Sequence, residues 1–338
     1  MDFVVPQDVQ NDLDLQNILF GDINSLNSYH VNDMTFFLKQ IILIPQIRPF
    51  SLDIIVDKCV NLCIDSDSFK NELLINSIKE CPMIARRLYD KSVYSRDDIS
   101  YFLKWGNIYR SGILFYDILP DRLVAKRSFW IRNEPKEVFY QFIKYGFRFD
   151  SIEYCLKYDD YDGFMAKVAY NDSTNDVLLK WNEFEWSKHQ IDLDMLSFSA
   201  YFGSIKCFKY LFIKSKNDHV LATQCAICSG SYDIIHMCIP HIPKYYSFGV
   251  LPLEYCRYDL YKWLNHDFAA DTCPEYFIIE YFIDKLDSFN QVFLNQCMVL
   301  SIQNGCYSFF RFLVEKGACI NTKTRFFRFF VVYQVCLW

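Results

Sequence analysis

The sequence predicts an all-α fold built from helical hairpins. Three observations predict it: apolar residues recur at three- and four-residue spacing, turn-forming residues are scarce, and a helix–glycine–helix pattern repeats in the C-terminal half. Hydrophobic residues make up 52% of the 338 positions and aromatics 18%, enough to build a large core. Ten glycines and ten prolines serve the whole chain, too few for the tight turns that a sheet protein needs.

Residues 1–133 read as an N-terminal helical region, either degenerate repeats or a cap that closes an array. Met34-Thr35-Phe36-Phe37-Leu38 with Ile41 and Ile42, Leu52-Asp53-Ile54-Ile55-Val56 with Cys59, Val60 and Cys63, and Leu73-Leu74-Ile75 with Ile78 each mark an amphipathic helix. Phe36 to Ile47 is the most apolar of these runs, but Lys39, Gln40, Pro45 and Gln46 interrupt it, so it reads as a core helix and not a membrane span.

Residues 134–323 carry the repeats. Ser199-Ala200-Tyr201-Phe202-Gly203, Ala226-Ile227-Cys228-Ser229-Gly230 and Ser301-Ile302-Gln303-Asn304-Gly305 align on their glycines. Apolar residues follow two, four, five and eight places later: Ile205, Cys207, Phe208 and Leu211; Tyr232, Ile234, Ile235 and Cys238; Tyr307, Phe309, Phe310 and Leu313. Each set makes one stripe on a short helix. A helix that reverses into another needs a left-handed residue past its end, which glycine supplies. Ser204 and Ser231 then stand where an N-cap is expected. Glu153-Tyr154-Cys155 and Glu254-Tyr255-Cys256 suggest equivalent places in two further copies, and Gly146, Gly317 and Gly106 each end an apolar stretch.

These residues resemble ankyrin repeats, most visibly Phe312-Leu313-Val314-Glu315-Lys316-Gly317-Ala318-Cys319-Ile320-Asn321 after Asn304-Gly305, and Ser199 to Leu211. The stretch from Phe202 to Leu211 is similar to the shortened ankyrin-like repeats of large protist protein families. The resemblance implies a solenoid of stacked antiparallel helix pairs that offers an extended surface to a protein partner. It departs from the family pattern in lacking Thr-Pro-Leu-His, with Pro252-Leu253 the nearest remnant. Gly203 and Gly230 stand 27 positions apart, against a consensus repeat of about 33 residues, so long β-hairpin fingers are not expected.

Residues 324–338, Thr324 to Trp338, form an atypical hydrophobic tail that departs from a capping repeat. It reads as a truncated array, or as a segment that docks on the last repeat or on a membrane surface. An array without a polar end also invites self-association.

The net charge of −6 provides no basic field for nucleic acid. Fourteen cysteines scattered through helices read as reduced thiols. Met1 to Gln10 carries Asp2 and Asp8 and no signal pattern, so a cytoplasmic protein is expected.

No catalytic, cofactor or metal site is expected. Cys225-Ala226-Ile227-Cys228 has redox spacing but falls in a helix, and Pro240 separates His236 from His241. Asp159-Asp160, Asp12 with Asp14, and Asp192 with Asp194 read as helix caps. Partner contacts are expected between helix pairs, at Asn217, Asp218, His219, Tyr245 and Tyr246. The expected function is a protein-interaction scaffold. Two alternatives stand beside it: a thiol-dependent or metal protein using residues 1–133, and a membrane-surface protein held by the tail.

Overall fold

A computed structural model describes residues 5–21, 23–28, 30–31, 33–48, 50–105, 112–119, 131, 134–168, 177–181, 184–185, 192–215, 219–243, 246–264, 278–285 and 290–319. Asn217, Asp218, Tyr245, Gly106 and the tail from Thr324 to Trp338 lie outside the described residues. The described chain is mostly helical. No helix among these residues is long and apolar enough to cross a membrane.

The N-terminal helices are α1 (Gln7–Phe20), α2 (Met34–Ile47), α3 (Leu52–Asp65), α4 (Asp67–Glu80), α5 (Pro82–Asp90) and α6 (Arg96–Trp105). In α2, Asp33 caps the first turn by accepting from the backbone N–H groups of Thr35 and Phe36. Phe36, Phe37, Leu38, Ile41, Ile44 and Ile47 are all buried, so α2 is apolar around most of its circumference and needs neighbours on several sides. It finds them in α1, α3 and α4.

The remaining helices are α7 (Lys136–Tyr145), α8 (Ile152–Lys157), α9 (Tyr161–Val168), α10 (Met195–Phe202), α11 (Ile205–Lys214), α12 (Val220–Ser229), α13 (Tyr232–Cys238), α14 (Leu251–Glu254), α15 (Tyr258–Leu264), α16 (Ile279–Lys285), α17 (Gln291–Gln303) and α18 (Tyr307–Glu315). Two strands of two residues, β1 (Leu178–Leu179) and β2 (Leu193–Asp194), pair antiparallel just before α10. This short ladder is a departure from a purely helical reading.

Among the described residues, five hairpins from α8 onward share one turn, which also ends α5 at Ser92. Asp159, Gly203, Gly230, Cys256 and Gly305 are all left-handed, with φ between 52° and 75°. In each, the N–H of the next residue reaches back five places, from Asp160 to Cys155, Ser204 to Ser199, Ser231 to Ala226, Arg257 to Pro252 and Cys306 to Ser301. This closes the first helix with a Schellman-type cap. It also corrects the alignment of Glu153-Tyr154-Cys155 with Glu254-Tyr255-Cys256. Cys155 lies inside α8, and the residue equivalent to Cys256 is Asp159.

First helices touch first helices (α8 with α10, α10 with α12, α12 with α14), and second helices touch second helices (α9 with α11, α11 with α13). Side chains join the turns along this direction. Ser204 Oγ donates to the Leu156 carbonyl, Ser229 Oγ to that of Ala200 at 2.8 Å, and Arg257 Nη2 to that of Ser229. Carbonyls left over at one helix end are thus satisfied from the next hairpin.

The two ends of the described chain meet. Helix α1 packs on α16 and α18. Arg311 pairs with Asp8 at 2.7 Å, and the backbone N–H of Ile279 donates to Gln16 Oε1 at 2.9 Å. Asp12 is no helix cap: it is buried within α1 and accepts from Cys306 Sγ and Ser308 Oγ. The boundary expected after residue 133 falls beside undescribed residues, and one apolar cluster includes side chains from both sides of it.

Candidate functional site

The residues expected to define the repeats occupy the turns and the core. Leu211, Cys238 and Leu313 are buried on second helices, and Gly317, with φ of 98°, ends α18. The stripe is narrower than its spacing suggests. Tyr232 and Tyr307, two places past the glycine, are exposed, and in the last copy Phe312 is more deeply buried than Phe310.

Ser204 and Ser231 stand at N-cap positions, but neither side chain caps its helix. The first turn of α11 is served from the preceding hairpin: the Asp159 carboxylate accepts from the N–H groups of Lys206 and Cys207, each at 3.0 Å to Oδ1. Asp160 and Asp194 do act as local caps, whereas Asp14 accepts from the Gln10 side chain. Asp160 accepts from Gly163 N–H at 3.0 Å, and Asp194 from Ser197 N–H at 2.7 Å.

Of the expected contact residues, His219 is not at the surface. It is 6% exposed, its ring lies 4.5 Å from that of Phe212, and its carbonyl receives the Thr223 hydroxyl. Tyr246 is half-buried, and its hydroxyl accepts from Gln224 Nε2 at 2.7 Å.

Burial holds several of the described cysteines in the thiol form. Cys225 and Cys228 lie inside α12, and burial, reinforced by the neighbouring Cys228, pushes the Cys225 thiol well above its ordinary range. Burial likewise pushes Cys81 up to about 12 and Cys63 up to about 11. Cys319 is exposed. His236 lies against Trp263, and His241 against Phe212 and His219. Among the described residues no group of three or more His, Cys, Asp or Glu is arranged to hold a metal ion.

The arrangement with the most unusual chemistry lies where the N-terminal helices meet α7 and α8. A cavity of about 190 Å³ opens there, with Arg48, Arg87, Lys144, Lys157, Asp53 and Glu185 among its lining. Lys157 is 9% exposed and donates to Glu185 at 2.6 Å and to the Tyr145 carbonyl at 3.0 Å. Its ammonium lies within 6 Å of the ring centres of Phe50, Phe147, Tyr158 and Phe202, so electron-rich faces replace much of the water it loses.

Gly146 makes this approach possible. Its φ of 80° lies in the left-handed region, and an added Cβ would fall within the Glu185 carboxylate. Arg48, also 9% exposed, donates through Nη2 to the carbonyls of Phe20 at 2.8 Å and Cys256 at 3.1 Å. Burial lowers it to about 10, so it stays charged at neutral pH.

Aromatic side chains run outward from the cavity mouth. Phe50, Tyr158 and Phe149 are 52%, 38% and 57% exposed. Ring centres step from Phe50 to Tyr158 at 5.6 Å, from Tyr158 to Tyr154 at 4.7 Å, and from Tyr154 to Phe149 at 4.7 Å. Composition and periodicity alone did not single out this surface, because Phe50 and Phe149 are far apart in sequence and lie in the connections between helices. The retrievable signal was local: Lys157 sits between Leu156 and Tyr158 at the end of a short apolar helix.

Compared with protein-family models, with curated proteins and with solved structures, the chain matches none.

Proposed function

We propose that the chain is a protein-interaction scaffold: a solenoid of ankyrin-like helix pairs that works by surface complementarity, without catalysis, in the cytoplasm. The observation that carries this reading is the recurrence of one left-handed turn at Asp159, Gly203, Gly230, Cys256 and Gly305, with first helices packed on first helices. Such an arrangement spends its residues on stacking and leaves connecting loops and helix faces for contact. The exposed aromatic run from Phe50 to Phe149 supports a binding role, since clustered exposed rings are what interface cores use.

Affinity capture from a native cell extract tests it. The intact chain is compared with a variant carrying Phe149→Ser and Tyr154→Ser, and with one in which Gly203, Gly230 and Gly305 are all changed to valine to break the hairpins. A defined protein retained by the intact chain and lost from both variants is the expected result. The same proteins held in equal yield by all three forms would sink the reading.

A further inference from the structure

Buried arginines are treated in two ways in this molecule. Arg86, 1% exposed, meets Asp117 through two nitrogens at 2.5 and 3.0 Å, Asp90 at 3.1 Å and the Leu114 carbonyl at 2.7 Å. That guanidinium is matched in charge by two carboxylates, although its Nε, like those of Arg48 and Arg87, makes no hydrogen bond. Arg48 has no such treatment. Its Nη2 is held by two neutral carbonyls, and among the described residues it forms no ion pair and its Nε donates to no acceptor. Arg87 lines the same cavity; its Nη2 donates to the Lys144 carbonyl at 2.9 Å, while Nε lies 3.7 Å from Asp53 and makes no hydrogen bond.

The charges of the lining do not balance. Arg48, Arg87, Lys144 and Lys157 face Asp53 and Glu185, and Glu185 is already committed to Lys157. Among the described residues of the lining two positive charges remain over, with Asp259, outside the lining, the one carboxylate that acts on Arg48. A buried cation left without a counterion is costly, and an anion held in the cavity beside the two guanidinium groups offsets that cost. At about 190 Å³ the cavity is smaller than the sites that enclose drug-sized ligands, and suits an ion-sized group entering from the aromatic mouth.

We propose that the cavity lined by Arg48 and Arg87 binds a phosphate-class oxyanion, free or as a monoester. The inference stands on the cavity and not on the scaffold reading, so either can fail alone. Tetrahedral dianions match forked guanidinium donors in geometry as well as charge, which a single chloride does not.

The test is isothermal titration calorimetry of the intact chain with inorganic phosphate and, separately, phenyl phosphate, at constant ionic strength held with chloride. Saturable one-site binding with a dissociation constant below about 1 mM is expected. Lys144→Gln and Arg87→Gln should each weaken it about tenfold with an unchanged helical circular-dichroism spectrum. Arg48 is left intact because it holds two carbonyls. Should Arg87→Gln fail to fold, Lys144→Gln decides alone, its side chain being exposed. Tighter binding of phenyl phosphate identifies a monoester as the ligand, and binding of phosphate alone identifies the free ion. No saturation by either probe up to about 10 mM, or undiminished binding in the folded variants, would overturn the proposal.

Discussion

The carboxylate of Asp159, at the left-handed turn of one hairpin, accepts the backbone N–H groups of Lys206 and Cys207 at the start of the second helix of the next hairpin. One residue therefore carries two burdens, an unfavourable φ of 53° and the capping of a helix 47 positions away. Asp159→Ala should cost about 2 kcal/mol, the sum of a lost cap and an alanine forced left-handed. Asp159→Gly relieves the backbone and should cost about 1 kcal/mol. Urea melts of both variants check this; equal losses would mean that the left-handed backbone adds nothing, and no loss in Asp159→Gly that the cap contributes nothing.

Gly203 and Gly230 share a conformation but not a neighbourhood. A Cβ at Gly203 meets only ordinary contacts near 3.8 Å, whereas one at Gly230 falls on the Arg257 guanidinium that reaches the Ser229 carbonyl. Gly203→Ala should cost about 1 kcal/mol from φ alone, and Gly230→Ala about 3 kcal/mol. In the double variant Gly230→Ala/Arg257→Ala the losses should sum to less than the separate ones, because the clash is removed once. A double-mutant cycle in thermal or urea unfolding reads this directly.

These turns also show how much was legible beforehand. Gly203, Gly230 and Gly305 announce themselves because glycine is the residue that left-handed backbone favours. Asp159 and Cys256 do the same work without glycine. Aspartate tolerates the left-handed region better than most residues, so the Asp159-Asp160 pair held a faint signal, while Cys256 had none. The cationic cavity was less readable still, since Arg48, Arg87 and Lys157 come from three separate segments and no local period relates them.

Burial of Asp12 between α1 and α18 raises its pKa above 3.8, desolvation outweighing the donors Ser308 and Cys306. A raised folded value means that the native state holds the proton more tightly. The associated stability is fully present below 3.8 and is lost as pH rises through the folded pKa. Asp12→Asn keeps an acceptor and removes the titration, so native stability should decline against this variant as pH rises from about 4 towards 7. Urea melts across that range check it, and a constant difference would refute the assignment.

Thiol labelling of the native protein at neutral pH separates the exposed Cys319 from the buried cysteines among the described residues. Cys319→Ser should remove a fast-reacting group, whereas the double change Cys225→Ser/Cys228→Ser should leave the fast phase unaltered. Native labelling of Cys225 at the rate of Cys319 would restore the redox reading of that pair.

The closure of α1 on α16 and α18 has a consequence for biosynthesis. Asp8 and Arg311 are 303 positions apart, and at translation speeds of about 5 to 20 residues per second their meeting lags by roughly 15 to 60 s. Through that interval Val9, Leu15 and Leu19, buried in the finished molecule, wait beside a growing chain for the surface on α16 and α18 that α1 will meet. The newborn protein thus presents the still uncovered apolar side of α1 to whatever chaperone stands at the ribosome exit.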